Sequence, residues 1–393
     1  MTDKKLVYLF SEGNAEMKTL LGGKGANLSE MTRIGLPVPP GFIITTEACN
    51  LYYDMGDSLL QEVKLQLEQA LVKLEQELGK KFGDINNPLL ISVRSGSAVS
   101  MPGMMDTILN LGLNDETIKG LTEASRDERF ALDCYRRFIQ MFGDVVLEVS
   151  HSLFEKALNH KKEEYEVKDD TELSVKALKE LVNDYKGIII QQTGKSFPQD
   201  PMEQLMESIR AVFNSWNNQR AKVYRKINKI PDDLGTAVNI QTMVFGNLGS
   251  DCATGVAFSR NPATGEDELY GEFLVNAQGE DVVAGIRTPL LISRLKEIMP
   301  DIYEQFKNIC SQLEQHYKDI QDIEFTIERG KLYILQTRTG KRTASAAVKT
   351  AVDLVKEKII SRQEAIMRVE PTQINRLLHR QIDPKAKMDY IAV

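Results

Sequence analysis

Paired cysteines are missing from this sequence. Cys49, Cys134, Cys252 and Cys310 stand far apart, with no CxxC and no histidine at zinc-finger distance. That spacing excludes a disulfide scaffold and a structural zinc site, and predicts isolated reduced thiols in the core. No stretch approaches the ~18 apolar residues of a membrane helix. Residues 1–10 are mixed in charge and lack the apolar run of a signal peptide. The expectation is a cytoplasmic protein without a membrane partner. Basic excess is lacking as well: the formal net charge of -7 leaves nothing to neutralise a nucleic-acid backbone, so any phosphate must be held locally. Two familiar nucleotide signatures are absent, the P-loop GxxxxGK[ST] and a GxGxxG after a strand, which removes Walker-type NTPases and Rossmann dehydrogenases. None of the four histidines sits in a glycine-rich turn, so a catalytic triad or a histidine metal site finds no support. No internal repeat of fixed period is present.

What is there is a globular composition, 42% hydrophobic and 27% charged over 393 residues, longer than one core usually serves. The first 112 residues mix strand and helix signals. Leu60, Val63, Leu67, Leu71, Leu74 and Leu78 recur at three- and four-residue steps and predict an amphipathic helix packed on a sheet. Leu89 to Val93 is a short apolar run read as a buried strand. From Asn114 to about Pro198 the pattern is helical, with a charged connection at Lys161 to Asp170. Pro201 to Lys229 predicts one long amphipathic helix. Thr236 to Phe245, Gly255 to Ser259 and Leu269 to Val275 then open a second α/β lobe. A helix over about Pro300 to Lys318 and a hairpin from Ile320 to Thr337 follow. The last fifty residues return to helix, where Ser361 and Glu364 form a capping box.

Three places carry candidate chemistry. Lys24 lies in Gly22-Gly23-Lys24-Gly25, before a helix expected over Ala26 to Ile34, where backbone N–H groups and an ammonium favour an anion. A plain structural turn explains that segment equally well. Arg94 ends an apolar strand and opens the small-residue loop Ser95 to Gly103, the setting of an anion nest with a guanidinium at its root; an ordinary ion pair beside a loop is the competing reading. Spacing alone favours the core for Met104 and Met105, with cover for an adenine as the alternative. In the hairpin, Asp322 and Glu324 share one face because strand side chains alternate. A three-residue loop, Glu328-Arg329-Gly330 with Gly330 left-handed, places Asp322 opposite Gln336 with Arg338 on the same face, a hard-oxygen set for a divalent metal with a cation beside it. A two-residue loop sends Gln336 and Arg338 to the other face, and an exposed polar hairpin end is the plainer alternative. Arg220, Lys222, Arg225, Lys226 and Lys229 read as a solvated basic helix face or a docking face for an acidic or phosphorylated partner.

These residues resemble a known family. Leu20 to Gly25, Ser92 to Gly96, Ser100 to Leu113, Gly255 to Phe258, Asn276 to Asp281 and Leu335 to Arg338 are, in order, similar to segments of pyruvate, phosphate dikinases. Met101 to Leu113 is the most specific of them, and related phosphoenolpyruvate synthases differ there. The resemblance implies an α/β, ATP-grasp-like fold of two lobes around an ATP cleft plus a helical insert. It divides the chain into a first lobe (1–112 and 199–243), the insert (113–198), a second lobe (244–342) and a helical linker (343–393). It implies Mg2+ as cofactor and ATP and phosphate as substrates. Lys24, Arg94 and Arg338 would hold phosphates, Asp322, Glu324 and Gln336 would serve magnesium, and Met104, Gln241, Thr254 and Glu280 would line the nucleotide site. Family members convert ATP, phosphate and pyruvate to AMP, pyrophosphate and phosphoenolpyruvate through a histidine on a swivelling domain and a pyruvate-binding TIM barrel. The full-length enzyme is expected to be a homodimer. This chain reads as ending before that histidine, so it is expected to bind Mg-ATP without completing turnover. A phosphoenolpyruvate synthase-type domain and a non-catalytic ATP-binding module remain alternatives at this point.

Overall fold

The computed structural model describes residues 4–99, 101, 107–284 and 287–378. The chain groups into two compact units. One holds the described residues up to Ser250 together with Tyr333–Gln336, and the other holds Asp251–Leu332 with the described residues from Thr337 on. Met104 lies outside the described residues. No described helix is long and apolar enough to cross a membrane, and all four cysteines are buried thiols outside any disulfide.

The strands of the first unit are β1 (Val7–Leu9), β2 (Gly41–Ile44), β3 (Lys81–Phe82), β4 (Pro88–Leu89), β5 (Ile91–Gly96), β6 (Thr107–Leu111) and β7 (Ala237–Thr242). Five of them form an antiparallel sheet in the order β1-β2-β7-β5-β6, while β3 and β4 make a small parallel pair. The apolar stripe at three- and four-residue steps folds as the helix Asp57–Leu78, which buries Leu60, Val63, Leu67, Leu71 and Leu74. Each fully buried side chain of this kind contributes about 1.5–3 kcal/mol, so the stripe explains why the helix stays on the sheet. The helices Glu128–Val145 and Val175–Thr193 are started by Asp127 and Ser174, whose side chains accept backbone N–H groups of Phe130 and Ala177. Phe197 meets Phe138 and Phe142 edge-on, with both ring centroids 5.5 Å away.

The segment read as one helix from Pro201 to Lys229 is two, Pro201–Ser215 and Gln219–Asn228. Asn218 is the cause: its Oδ1 accepts the Ala221 N–H at 2.7 Å and starts the second helix afresh. The basic face is also narrower than its sequence suggests. Arg225 is 1% exposed, stacks on Trp216 with its guanidinium carbon 4.2 Å from the ring centroid, and pairs with Asp232 at 2.7 Å.

The other five-stranded sheet is built from β8 (Ala253–Phe258), β9 (Tyr270–Val275), β10 (Leu290–Leu291), β11 (Gln321–Glu328) and β12 (Lys331–Thr339), in the order β10-β9-β8-β11-β12. The helix Pro300–Tyr317 buries Phe306, Ile309, Cys310 and Leu313. The helix Ala344–Lys356 is capped by Thr343, and Ser361 and Glu364 form the expected capping box on the next helix. Arg260, 2% exposed, ties this C-terminal helical stretch down: it donates to both Glu314 oxygens at 3.0 Å and to both Glu357 oxygens at 3.1 and 2.7 Å.

Candidate functional site

In the first unit the lysine turn and the arginine strand are interlocked. The expected helix from Ala26 starts earlier, at Lys18, and runs to Arg33 with one break at Gly22, whose φ is 70°. A Cβ at Gly22 would lie 1.9 Å from the Gly96 carbonyl oxygen, so only glycine allows that approach. Gly23 N–H donates to the Ser97 carbonyl at 2.9 Å. Lys24 sits directly over the strand end, since a Cβ at Gly96 would lie 3.2 Å from the Lys24 Cβ. Arg94 and Gly96 alternate to the same face of β5. The half-buried Lys24 and Arg94 therefore arise from adjacent backbone on one side of one sheet, a proximity that their 70-residue separation in the chain did not announce.

Gln241, on β7, is 1% exposed, and its side-chain Nδ-equivalent, Nε2, donates to the Pro39 carbonyl at 3.1 Å. Its amide is thereby fixed within the sheet's connections.

The second unit gathers Asp322, Glu324 and Thr254 on one face of its sheet. The antiparallel register pairs Asp322 with Phe258, Glu324 with Val256 and Thr326 with Thr254, so Asp322, Glu324, Thr326 and Thr254 all point the same way. The hydroxyls of Thr254 and Thr326 stand 3.2 Å apart. Glu280 lies in the first turn of the short helix Gly279–Ala284, which meets this face: a Cβ at Gly279 would be 3.9 Å from Thr254 Oγ1.

The hairpin corrects one expectation, the loop length, and still joins Arg338 to Asp322. Its loop has two residues, Arg329 and Gly330, at φ 48° and 70°, in place of the three expected. Positive φ at both central positions is the type I′ geometry whose twist matches the flanking strands. Regular alternation from that loop would turn Arg338 away from Asp322. Instead the buried positions along β12 run Leu332, Ile334 and then Thr337, a three-residue step in the manner of a β-bulge. Thr337 Oγ1 consequently bonds Gln321 Oε1 at 3.0 Å on the inner face, and Arg338 Nε bonds Asp322 Oδ2 at 2.7 Å on the outer one. Gln336 is half-buried and falls within the stretch where alternation breaks.

A match to a family model now decides the affiliation. The model "Pyruvate phosphate dikinase, AMP/ATP-binding domain" matches residues 18–68, 58–302 and 293–359. The chain belongs to that family.

Pyruvate, phosphate dikinase from Clostridium symbiosum is 56% identical over 383 residues, covering 97% of this chain and 44% of that protein. The Rhizobium meliloti (strain 1021) dikinase is 54% identical over 403 residues, 98% of this chain and 45% of its own length. The chloroplastic dikinase 1 of Zea mays is 54% identical over 395 residues, 99% of this chain and 42% of its own. The chain thus spans less than half the length of these dikinase relatives.

Among the described residues, no group of three or more His, Cys, Asp or Glu converges on one metal position. A magnesium ion that arrives with a polyphosphate needs only one or two protein carboxylates and keeps waters and phosphate oxygens for the rest, so the pair Asp322 and Glu324 fits it. The cavity of about 610 Å³ in the second unit is lined by Arg260, Glu314 and Glu357 and contains none of the candidate residues. Its arginine is already saturated by the two glutamates, which marks it as a structural anchor of the dikinase-type domain. Two groups escaped the sequence reading. Thr326 was within reach of it, being one alternation from Glu324; Asn239, opposite Arg94 on β7, was not.

Proposed function

We propose that this chain is the ATP-binding part of a pyruvate, phosphate dikinase, folded as an ATP-grasp-like module. The carrying observation is the outer face of β11 and β12, where Asp322 and Arg338 are bonded beside Glu324. Carboxylates for a divalent ion next to a guanidinium for uncovered phosphate charge is the donor set a Mg-polyphosphate requires. Lys24 and Arg94 are assigned to the phosphate chain, since both rise from the interlocked strand end and glycine turn. Asp322 and Glu324 are assigned to magnesium with Gln336, and Thr254, Glu280, Gln241 and Met104 to the nucleotide's surroundings. Magnesium would neutralise phosphate charge and orient the chain for displacement. Arg94 and Arg338 would meet the charge that grows on the β,γ-phosphoryl oxygens as the bond to AMP breaks.

The pyrophosphoryl group would pass to a histidine nitrogen on a separate domain, releasing AMP. Phosphate would then take the γ-phosphoryl as pyrophosphate, and pyruvate in a TIM barrel would take the β-phosphoryl, giving phosphoenolpyruvate. Such partners, and a homodimeric whole, are part of this proposal, as is a cytoplasmic setting. The three relatives named above are all dikinases, which favours phosphate over the water used by a synthase-type enzyme. Calorimetric titration of the folded chain with Mg-ATP or a non-hydrolysable analogue tests the proposal. Saturable heat is expected; none at millimolar nucleotide overturns it.

A further inference from the structure

Asn239 is wholly buried on β7, directly opposite Arg94 in the antiparallel ladder. Residues opposite one another in such a pair share a face, so Asn239 lies on the side of the sheet covered by the glycine turn. Its Nδ2 donates to the Arg94 carbonyl oxygen at 3.2 Å. Its Oδ1 has no hydrogen-bond partner. A buried acceptor left unpaired is unfavourable, and such groups in native folds call for an explanation. Here the neighbours supply one. A Cβ at Gly25 would lie 2.8 Å from Oδ1, and a Cβ at Gly96 would lie 2.7 Å from Nδ2. The amide therefore fills the space left by two glycines, one from the Lys24 turn and one from the Arg94 strand end, while it grips the Arg94 backbone.

We propose that Asn239 is a positioning residue that holds the Lys24 turn and the Arg94 strand end in fixed register, so that ammonium and guanidinium are preorganised for one polyphosphate. Resting on the Mg-ATP reading above, this adds a residue that touches neither phosphate nor metal. An apolar residue of similar size would fill the space equally well but would release the Arg94 carbonyl. A smaller one would let the turn and strand end move apart. Preorganised charges lose affinity when their spacing loosens, even though both side chains remain.

The test is a double-mutant cycle on the folded chain, with Mg-ATP affinity by calorimetry and thermal stability measured separately. Asn239→Ala is expected to weaken Mg-ATP binding by about tenfold or more at a temperature where the variant is fully folded. In a Lys24→Ala background the same substitution should cost no more than about threefold, because the register it maintains has lost one of its two clients. Wild-type affinity in Asn239→Ala, or losses that simply multiply in the double variant, would overturn the proposal and leave Asn239 a stability residue. If Asn239→Ala does not fold, Gly25→Ala probes the same contact from the other side, since its new Cβ meets Oδ1. Undiminished affinity in folded Gly25→Ala overturns the proposal as well. Failure of the wild-type chain to bind Mg-ATP is a separate outcome and refutes the functional reading itself.

Discussion

Arg338 and Asp322 are joined across the β11–β12 hairpin, Nε to Oδ2 at 2.7 Å, with the arginine side chain 53% and the aspartate 12% exposed. A pair this open to water contributes only about 0–1 kcal/mol to stability. Its strand achieves the contact only by departing from regular alternation between Ile334 and Thr337. A fold gains little stability from that departure. A site that needs a guanidinium beside a metal-binding carboxylate gains its geometry.

Arg338→Ala and Arg94→Ala should therefore leave stability nearly unchanged for Arg338 and strike the transfer step harder than nucleotide binding for both. Joined to a phosphohistidine domain, each variant is expected to lose about 2.7–4 kcal/mol of transition-state stabilisation, a hundred- to a thousandfold in rate. Single-turnover AMP release compared with Mg-ATP affinity separates the two effects. Equal losses in both would make the arginines ground-state clamps.

Magnesium dependence should reside in the carboxylates of β11. Asp322→Asn and Glu324→Gln are expected to reduce the gain in ATP affinity that Mg2+ confers, with affinity for ATP in excess chelator changed far less. Titrations of ATP with and without Mg2+ measure this difference. A full magnesium effect in both variants would remove these residues from the metal site.

The hairpin loop offers a test of local backbone cost. Arg329 holds φ 48° although it bears a side chain, and Gly330 follows at φ 70°. Asn-Gly is the preferred type I′ pair, so Arg329→Asn should stabilise the second unit by a few tenths of a kcal/mol up to about 1 kcal/mol. Gly330→Val should destabilise it by at least as much. Urea denaturation midpoints at unchanged slope provide the readout.

Acid sensitivity is expected in the first unit from Asp133. It is 6% exposed and accepts Arg136 Nε at 3.1 Å and Arg137 Nε at 3.0 Å. Burial pushes its carboxyl up, but the Arg136 and Arg137 guanidiniums outweigh that and hold it well below the usual carboxylate range. With the folded value below the unfolded value of about 3.9, its stabilisation is complete above roughly pH 5 and lost progressively as pH falls. Asp133→Asn leaves the buried Arg136 paired only with Asp170, 2.9 Å away, and should cost about 1–3 kcal/mol at neutral pH. Its stability should then fall less steeply than wild type between about pH 5 and 3, in urea melts across that range.

Much of the architecture was legible because it follows from local rules. The period of Leu60 to Leu74 dictated a helix, the apolar run before Arg94 a strand, and Ser361 with Glu364 a helix start, each from side chains within one or two turns of one another. Asp322 and Glu324 were placed on one face by strand alternation alone. Where the sequence misled, the deciding term was also local but finer than periodicity: Asn218 restarting a helix, and Arg329 accepting positive φ to shorten a loop. The contacts that assemble the candidate site belong to a different category. Gly22 against the Gly96 carbonyl, Asn239 beneath both glycine segments, and Arg338 brought round to Asp322 depend on which strands pair and in what register. Register is set by the summed packing of whole sheets, and a slip of one residue reverses every side chain on a strand, so no short stretch of sequence contains that information.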